Sequence, residues 1–357
     1  MKTWIESAEA IGQVDELLAS VGLGHGRRKT LGGTWQGGER LERQDSQLAK
    51  KRTPGRAARA VKVPGWEKYG WLRHGFSTRS GGVSSVYDPG VSKGSLNLGW
   101  TKEDEEQNVT KNRRLFLRAI VEGKYEKLLT IRQFHSDMVR VVEMGDCASE
   151  GRLETPTGRA LLRGDGLMTD VPGVMLGVQV ADCVPVLVVD VKRKAVAAFH
   201  AGWRGTLGRI AERGIGRMRL RYGSRPEDLV AAIGPSIGPC CYSVGEEVRF
   251  EFESQFAYAP ELFTEVYDSD PVRDKYPLLF LTARAPGHSN IGPQIHLDLW
   301  EANRRQLLDA GLKAKRITVV GECSACARVG GRPKYFSHRG ESGFAGRMMG
   351  VVGVAPR

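Results

Sequence analysis

The sequence predicts an α+β fold, one large catalytic domain of mixed sheets and helices behind a basic N-terminal extension. Three observations predict it: short Val-, Ile- and Ala-rich runs of strand length, amphipathic stretches of helix length alternating with them, and a change of composition near residue 62. Strand candidates are Val174 to Val180, Val186 to Val189, Ala195 to Phe199, Leu229 to Ile233 and Ile317 to Val320. Helix candidates are Asp104 to Val121, Leu207 to Tyr222 and Leu297 to Ala310. No second linker and no internal repeat interrupts residues 63–357, so they form a single domain.

Residues 1–62 form the extension. Gly24 to Lys62 is rich in glycine and basic residues and has neither helical nor strand periodicity, so it is expected to be partly disordered. Before it, Ile11, Val14, Leu17, Leu18 and Val21 lie at helical spacing and suit a docking or packing face. The whole chain carries 53 Lys plus Arg against 41 Asp plus Glu, a formal charge of +12, which suits anionic partners such as phosphates and nucleotides. No recognition motif accompanies the charge, which argues against nucleic acid. The opening "MKTWIESAEAIGQVDELLASVG" has no continuous apolar run and several acids, arguing against targeting, and Val171 to Asp190 is interrupted by Pro172, Asp182 and Pro185, arguing against a membrane span. Six cysteines at this length fit reduced thiols and a cytoplasmic location. The oligomeric state is left open between monomer and homodimer.

"GVQVADCVPVLVVDVKRKAVAAFHAGWRG", residues 177–205, concentrates the chemistry. Pro185 cannot donate to a ladder, so the sheet is expected to break at Ala181 to Pro185, with Cys183 at the break. The charged "VKRK" is of hairpin length, and folding about residues 192–193 sets Cys183 opposite residue 201 or 202, beside His200. Such cross-strand neighbours have Cβ atoms about 5 to 8 Å apart. A cysteine and a histidine so placed suit a metal, and a catalytic zinc needs a third protein ligand. His135, in "LLTIRQFHSDMVRVV", is a polar ring between two apolar runs, a position that a satisfied core histidine also explains. Arg204, in the glycine-bearing turn after His200, suits an anion site or a surface ion pair. Cys323 and Cys326, in "CSAC", resemble half a zinc knuckle, but with no second pair evident they read as ordinary thiols; Cys240 and Cys241, being adjacent, read as packing residues.

The motifs "RHGFSTRSGGVS", "SLNLG", "QFHSDMV", "GDGLMTDVPGVMLGVQVADCVPVLVVD", "AAFHAGWRG", "AAIGPSIGPCCYSVGEEV" and "YFSHRGESGFAGR" resemble those of the YfiH-like, laccase-domain family. That family is described as polyphenol oxidases and is associated with zinc-dependent purine nucleoside phosphorylase and adenosine deaminase activity. The resemblance implies a single domain with sheets packed between helical layers, and His135, Cys183 and His200 as metal ligands. Zinc is expected over copper, since seven histidines without a His-x-His pair do not make a multicopper site. Two departures stand out: Ser136 where the family has glycine, and Arg339 followed by Gly340 where the family has two adjacent arginines.

The implied partners are phosphate and purine nucleosides, namely adenosine, inosine, guanosine and methylthioadenosine. Deamination of adenosine asks for a metal-activated water and a proton shuttle, for which Asp182 is the candidate. Phosphorolysis asks for fixed donors on phosphate, for which Arg79 and Arg204 are candidates, with Arg339 and Asn97 as substrate-binding candidates. Two alternatives stay open: a thiol hydrolase with Cys183 as nucleophile and His200 as base, and a metal-dependent laccase-like oxidoreductase.

Overall fold

Val184–Asp190 and Ala195–Ala201 are buried at every position, a pattern that suits strands covered on both faces. A computed structural model, describing residues 58–88, 94–121, 127–143, 147–149, 152–155, 158–266 and 294–356, puts them at the centre of a six-stranded sheet. In chain order, the strands of the two main sheets are β1 (Ala60–Val61), β2 (Leu72–Ser77), β3 (Lys127–Thr130), β4 (Val139–Val141), β5 (Gly166–Thr169), β6 (Val174–Val180), β7 (Val184–Asp190), β8 (Ala195–Ala201), β9 (Leu229–Ile233), β10 (Ile317–Val319) and β11 (Met348–Val354). One sheet has the order β1-β2-β11-β6-β3 and the other β10-β9-β7-β8-β5-β4. Pairing is parallel at β3/β6, β4/β5 and β9/β10, and antiparallel elsewhere in both sheets.

Side-chain alternation along the strands explains the layers. Leu187 and Val189 of β7 and Val196 and Ala198 of β8 meet Leu176, Val178 and Val352 of the other sheet. Val186, Val188, Ala197 and Phe199 point the opposite way, onto α3 (Ile210–Tyr222) and α4 (Leu299–Asp309). On the far side of the five-stranded sheet, Phe116, Leu117 and Ile120 of α1 (Glu106–Ile120) cover Met175, Met349 and Val351. The result is helix, sheet, sheet, helix, the layering that the resemblance implied. Each fully buried Val, Leu or Phe in these layers contributes about 1.5–3 kcal/mol of transfer free energy.

Three features differ from expectation. The helix expected from Leu207 to Tyr222 starts only at Ile210, as α3, and Leu207 ends a separate short helix, α2 (Trp203–Leu207), because the chain turns at Gly208 and at Arg209, which has a left-handed φ of 59°. The sheet break lies at Ala181–Cys183, and Pro185 sits inside β7, paired with His200. It is tolerated there because pairing with β9 starts only at Val186, so the missing N–H faces a position beyond that ladder. Ala60 and Val61, within the segment read as extension, pair with Ser77 and Phe76 of β2. The apolar stripe from Ile11 to Val21 lies outside the described residues. Among the described residues, no helix is long and apolar enough to cross a membrane.

His74, on β2, is 4% exposed, and its Nε2 accepts a hydrogen bond from Val63 N at 3.1 Å. Burial, helped by the charge of Lys62, holds this imidazole down at about 4, below its ordinary 6.5. The folded chain therefore keeps His74 neutral while the unfolded chain takes up a proton below pH 6.5. Its contribution is intact above pH 6.5 and is lost as pH falls to about 4, by up to about 3 kcal/mol. Urea unfolding between pH 7.5 and 4.5 should show this decline, and a His74→Phe variant should show a shallower one.

Candidate metal centre and active-site cleft

β6 ends at Val180, and the chain crosses from one sheet to the other through Ala181, Asp182 and Cys183 before β7 begins. The register Val184↔Ala201 and Pro185↔His200 then sets Cys183 level with Gly202 at the end of the hairpin. The third donor comes from the turn after β3. The ligand atoms of His135, Cys183 and His200 all lie within 4.8 Å of one another, and the two imidazole rings are 5.0 Å apart at their centroids. Gly202 is needed for this convergence: a Cβ there would come within 2.9 Å of Cys183 Sγ and 3.1 Å of His135 Cδ2.

Asp165, 0% exposed, holds the cluster together. Its Oδ1 accepts from His135 N at 3.0 Å and lies 2.8 Å from His200 Nδ1; its Oδ2 accepts from Phe134 N, Ser136 N and Ser136 Oγ. One carboxylate thus fixes the turn that carries one ligand and the ring of another, leaving His200 Nε2 for a metal. His135 itself has a left-handed φ of 64°, and Asp182 one of 86°, so both edges of the site hold strained backbone. Ser136 adds a hydroxyl bond to Asp165 at 2.7 Å that glycine could not make.

The electrostatics favour a thiolate. Burial pushes the Cys183 thiol up, but the charge of His200 and hydrogen bonds from His135 and His200 outweigh it and bring it to about 6. Burial likewise pushes His200 down, and the Cys183 and Asp165 charges and hydrogen bonds reverse this, to about 9. Burial acts to raise Asp165 too, yet its bonds to His200 and Ser136 hold it at about 2. A bound cation would take the place of the His200 proton between the same groups.

These ligands open on a cleft of about 630 Å³, whose wall includes Arg132, Gln179, Asp182, Tyr242, Arg339 and Arg347. A hollow of about 660 Å³ along α1 is lined by surface side chains such as Glu106, Lys111 and Arg118 and has no chemistry comparable to the cleft's.

Residues 73–355 match the family model of the multi-copper polyphenol oxidoreductase laccases. The chain belongs to this laccase family. It is 34% identical over 292 residues to purine nucleoside phosphorylase YlmD of Geobacillus stearothermophilus, covering 80% of this chain and 95% of that one. It is 35% identical over 215 residues to adenosine deaminase RL5 from an unknown prokaryotic organism, covering 60% and 70%. The crystal structure of Bacillus licheniformis hypothetical protein YfiH superposes with a TM-score of 0.66 at 31% identity, over 85% of this chain and 100% of that one.

Within this laccase-family fold, His135, Cys183, His200, Asp182 and Arg339 share one cleft, whereas Arg79, Arg204 and Asn97 are not on its wall. The structure places Arg79, a phosphate candidate, in an ion-pair cluster away from that wall. It is 6% exposed, donates to Asp88, to Glu341 at 2.6 Å and to Tyr87 O, and stacks on Phe336 at 4.7 Å. Its donors are committed to clamping the loops. Arg204 is exposed and lies over the Trp203 ring at 4.3 Å. Asn97, 0% exposed, bonds Gly99, Asp104 and the backbone N of Arg347, so it shapes the loop beneath a cleft residue. Asp182 accepts from Ser324 Oγ at 2.6 Å and from Arg339 N at 2.6 Å, tying two loops to the crossover.

Sequence reasoning missed Asp165, Arg132, Tyr242 and Arg347. For Asp165 a signal existed, a carboxylate between two glycines directly before a strand. Arg79→Ala is expected to lower unfolding free energy by about 2 to 4 kcal/mol, since it strands Asp88 and Glu341, which are partly solvated. Denaturant unfolding measures this, and metal content per folded chain should stay unchanged.

Proposed function

We propose that the chain is a zinc-dependent purine nucleoside phosphorylase that also deaminates adenosine, and that it works in the cytoplasm. The observation that carries this reading is the meeting of a two-histidine, one-cysteine donor set with Arg132, Arg339 and Arg347 on one cleft. A thiolate and two imidazoles suit zinc, and three protein ligands leave one position open. Held there, zinc supplies a Lewis acid that polarises an oxygen or activates water.

The arginines bind phosphate and set it beside C1′ of the nucleoside. Arg339 is itself placed by bonds from its guanidinium to Ser243 and from its backbone to Asp182. The Tyr242 ring, lying under the Arg339 guanidinium at 5.6 Å, gives the purine an aromatic surface. For deamination, Asp182 is the carboxylate on the described cleft wall and moves the proton to departing ammonia.

One observation favours a second reading. Cys183, His200 and Asp165 also form a nucleophile, base and orienter, as a thiol hydrolase would need. One experiment separates the two: hypoxanthine release from inosine, with and without phosphate, beside ammonia release from adenosine, before and after chelation. Base release that needs both phosphate and metal is expected. Turnover that survives chelation and yields only to thiol alkylation would replace the phosphorylase reading with the hydrolase one.

A further inference from the structure

β9 and β10 are adjacent parallel strands, with Ala231 opposite Ile317 and Ile233 opposite Val319. The loops that follow them therefore leave the sheet at the same end. They stay paired beyond it: Val320 N donates to Ile233 O, Ser324 N donates to Ser236 O, and Ser236 forms a bridge with Cys323. The first loop carries Cys240 and Cys241, the second Cys323 and Cys326.

The sulfur atoms of these four residues all lie within 4.8 Å of one another. Cys240 Sγ and Cys326 Sγ are 3.6 Å apart. A disulfide needs about 2.05 Å, whereas four sulfurs at about 2.3 Å from one tetrahedral zinc stand about 3.8 Å apart. The adjacent cysteines share the cluster because the chain turns on Gly238 O, which accepts from both Cys241 N and Tyr242 N. Cys323 Sγ accepts a backbone N–H from Gly238 at 3.3 Å, a contact that suits a sulfur carrying negative charge. Sequence reasoning saw half a knuckle and an unrelated packing pair; the sheet makes them one set.

We propose that Cys240, Cys241, Cys323 and Cys326 bind a second zinc ion, structural in role, that clips the two loops beneath the active-site cleft. An all-thiolate set selects a soft or borderline metal, and sulfurs this close together span a single ion. The clip has a direct route to the cleft. Ser324, between Cys323 and Cys326, donates to Asp182 Oδ1, and Tyr242, next to Cys241, lines the cleft wall. Ile237 N, in the first loop, donates to Asp182 O at 2.9 Å. This site stands or falls independently of the nucleoside chemistry proposed above.

The test is elemental analysis of full-length protein purified under reducing conditions, with no activity assay needed. About two zinc ions per chain are expected in the wild type and about one in a Cys323→Ser/Cys326→Ser double variant. Cys183→Ala should also hold about one, while the triple variant should hold none. Should the double variant fail to fold, cobalt substitution of the wild type decides. A tetrathiolate site gives strong sulfur-to-cobalt absorption beyond that of a site with one thiolate, and this band should persist in Cys183→Ala. A single zinc in the wild type that depends on Cys183, a Cys240–Cys326 disulfide seen by mass, or iron at this cluster would each overturn the proposal.

Discussion

Cys183→Ala is expected to remove tightly bound metal from the His135, Cys183 and His200 cluster and to lower phosphorolysis more than about a hundredfold. That figure is the upper end of what losing a partner outside the ligand shell costs, and the proposed reading makes Cys183 one of the three donors to the metal itself. The argument rests on charge. The thiol, brought to about 6, is the one formally anionic donor of the three at neutral pH. Alanine leaves only two imidazoles, one of them bonded to Asp165, and no anionic donor. The check is metal content and inosine phosphorolysis on the same purified sample, with circular dichroism to show that β7 and β8 remain paired. Retained metal affinity would place the ion elsewhere.

Asp165→Asn is expected to weaken metal binding by about 10- to 100-fold while leaving every ligand in place. An amide cannot replace this carboxylate, because both oxygens accept: Oδ1 serves His135 N and His200, Oδ2 serves Phe134 N and Ser136. Whichever way the amide turns, its NH2 meets donors. The pH dependence follows from the same bonds. With Asp165 held at about 2, below its ordinary 3.8, its contribution of about 2 kcal/mol is complete above pH 4 and fades as pH falls toward 2. Chelator competition measures the affinity, and excess zinc should restore turnover in Asp165→Asn but not in Cys183→Ala. Equal failure of both variants to recover would assign Asp165 a part in the chemistry itself.

How much of this was legible in the sequence depends on the separation of the partners. The hairpin was legible because its register follows from a short connection: folding about residues 192–193 set Cys183 opposite residue 201 or 202, and the register puts it level with Gly202. The apolar runs gave β6 and β9 at their observed bounds. The surroundings of Arg79 were not legible, because they are made by Glu341, 262 residues away, and by burial, neither of which a loop motif records. Asp165 lay inside a quoted motif, yet its value comes from backbone N–H groups about 30 positions upstream and a ring 35 positions downstream. The cysteine pairs illustrate the same limit, since Cys240 and Cys326 are 86 positions apart and meet only because β9 and β10 are neighbours.

The burial of β7 and β8 on both faces has a consequence for how the site opens. Amides of a hairpin buried this way are expected to exchange with solvent only on global unfolding, which puts Cys183 and His200 beside a slow-opening element. His135 is different: it is exposed, and its turn is fastened through side chains, by Asp165, by the two bonds between Gln133 and the Gln179 backbone, and by the Asp137–Arg213 ion pair. A metal ion held by this cluster is therefore expected to exchange on the exposed His135 side rather than through the buried hairpin.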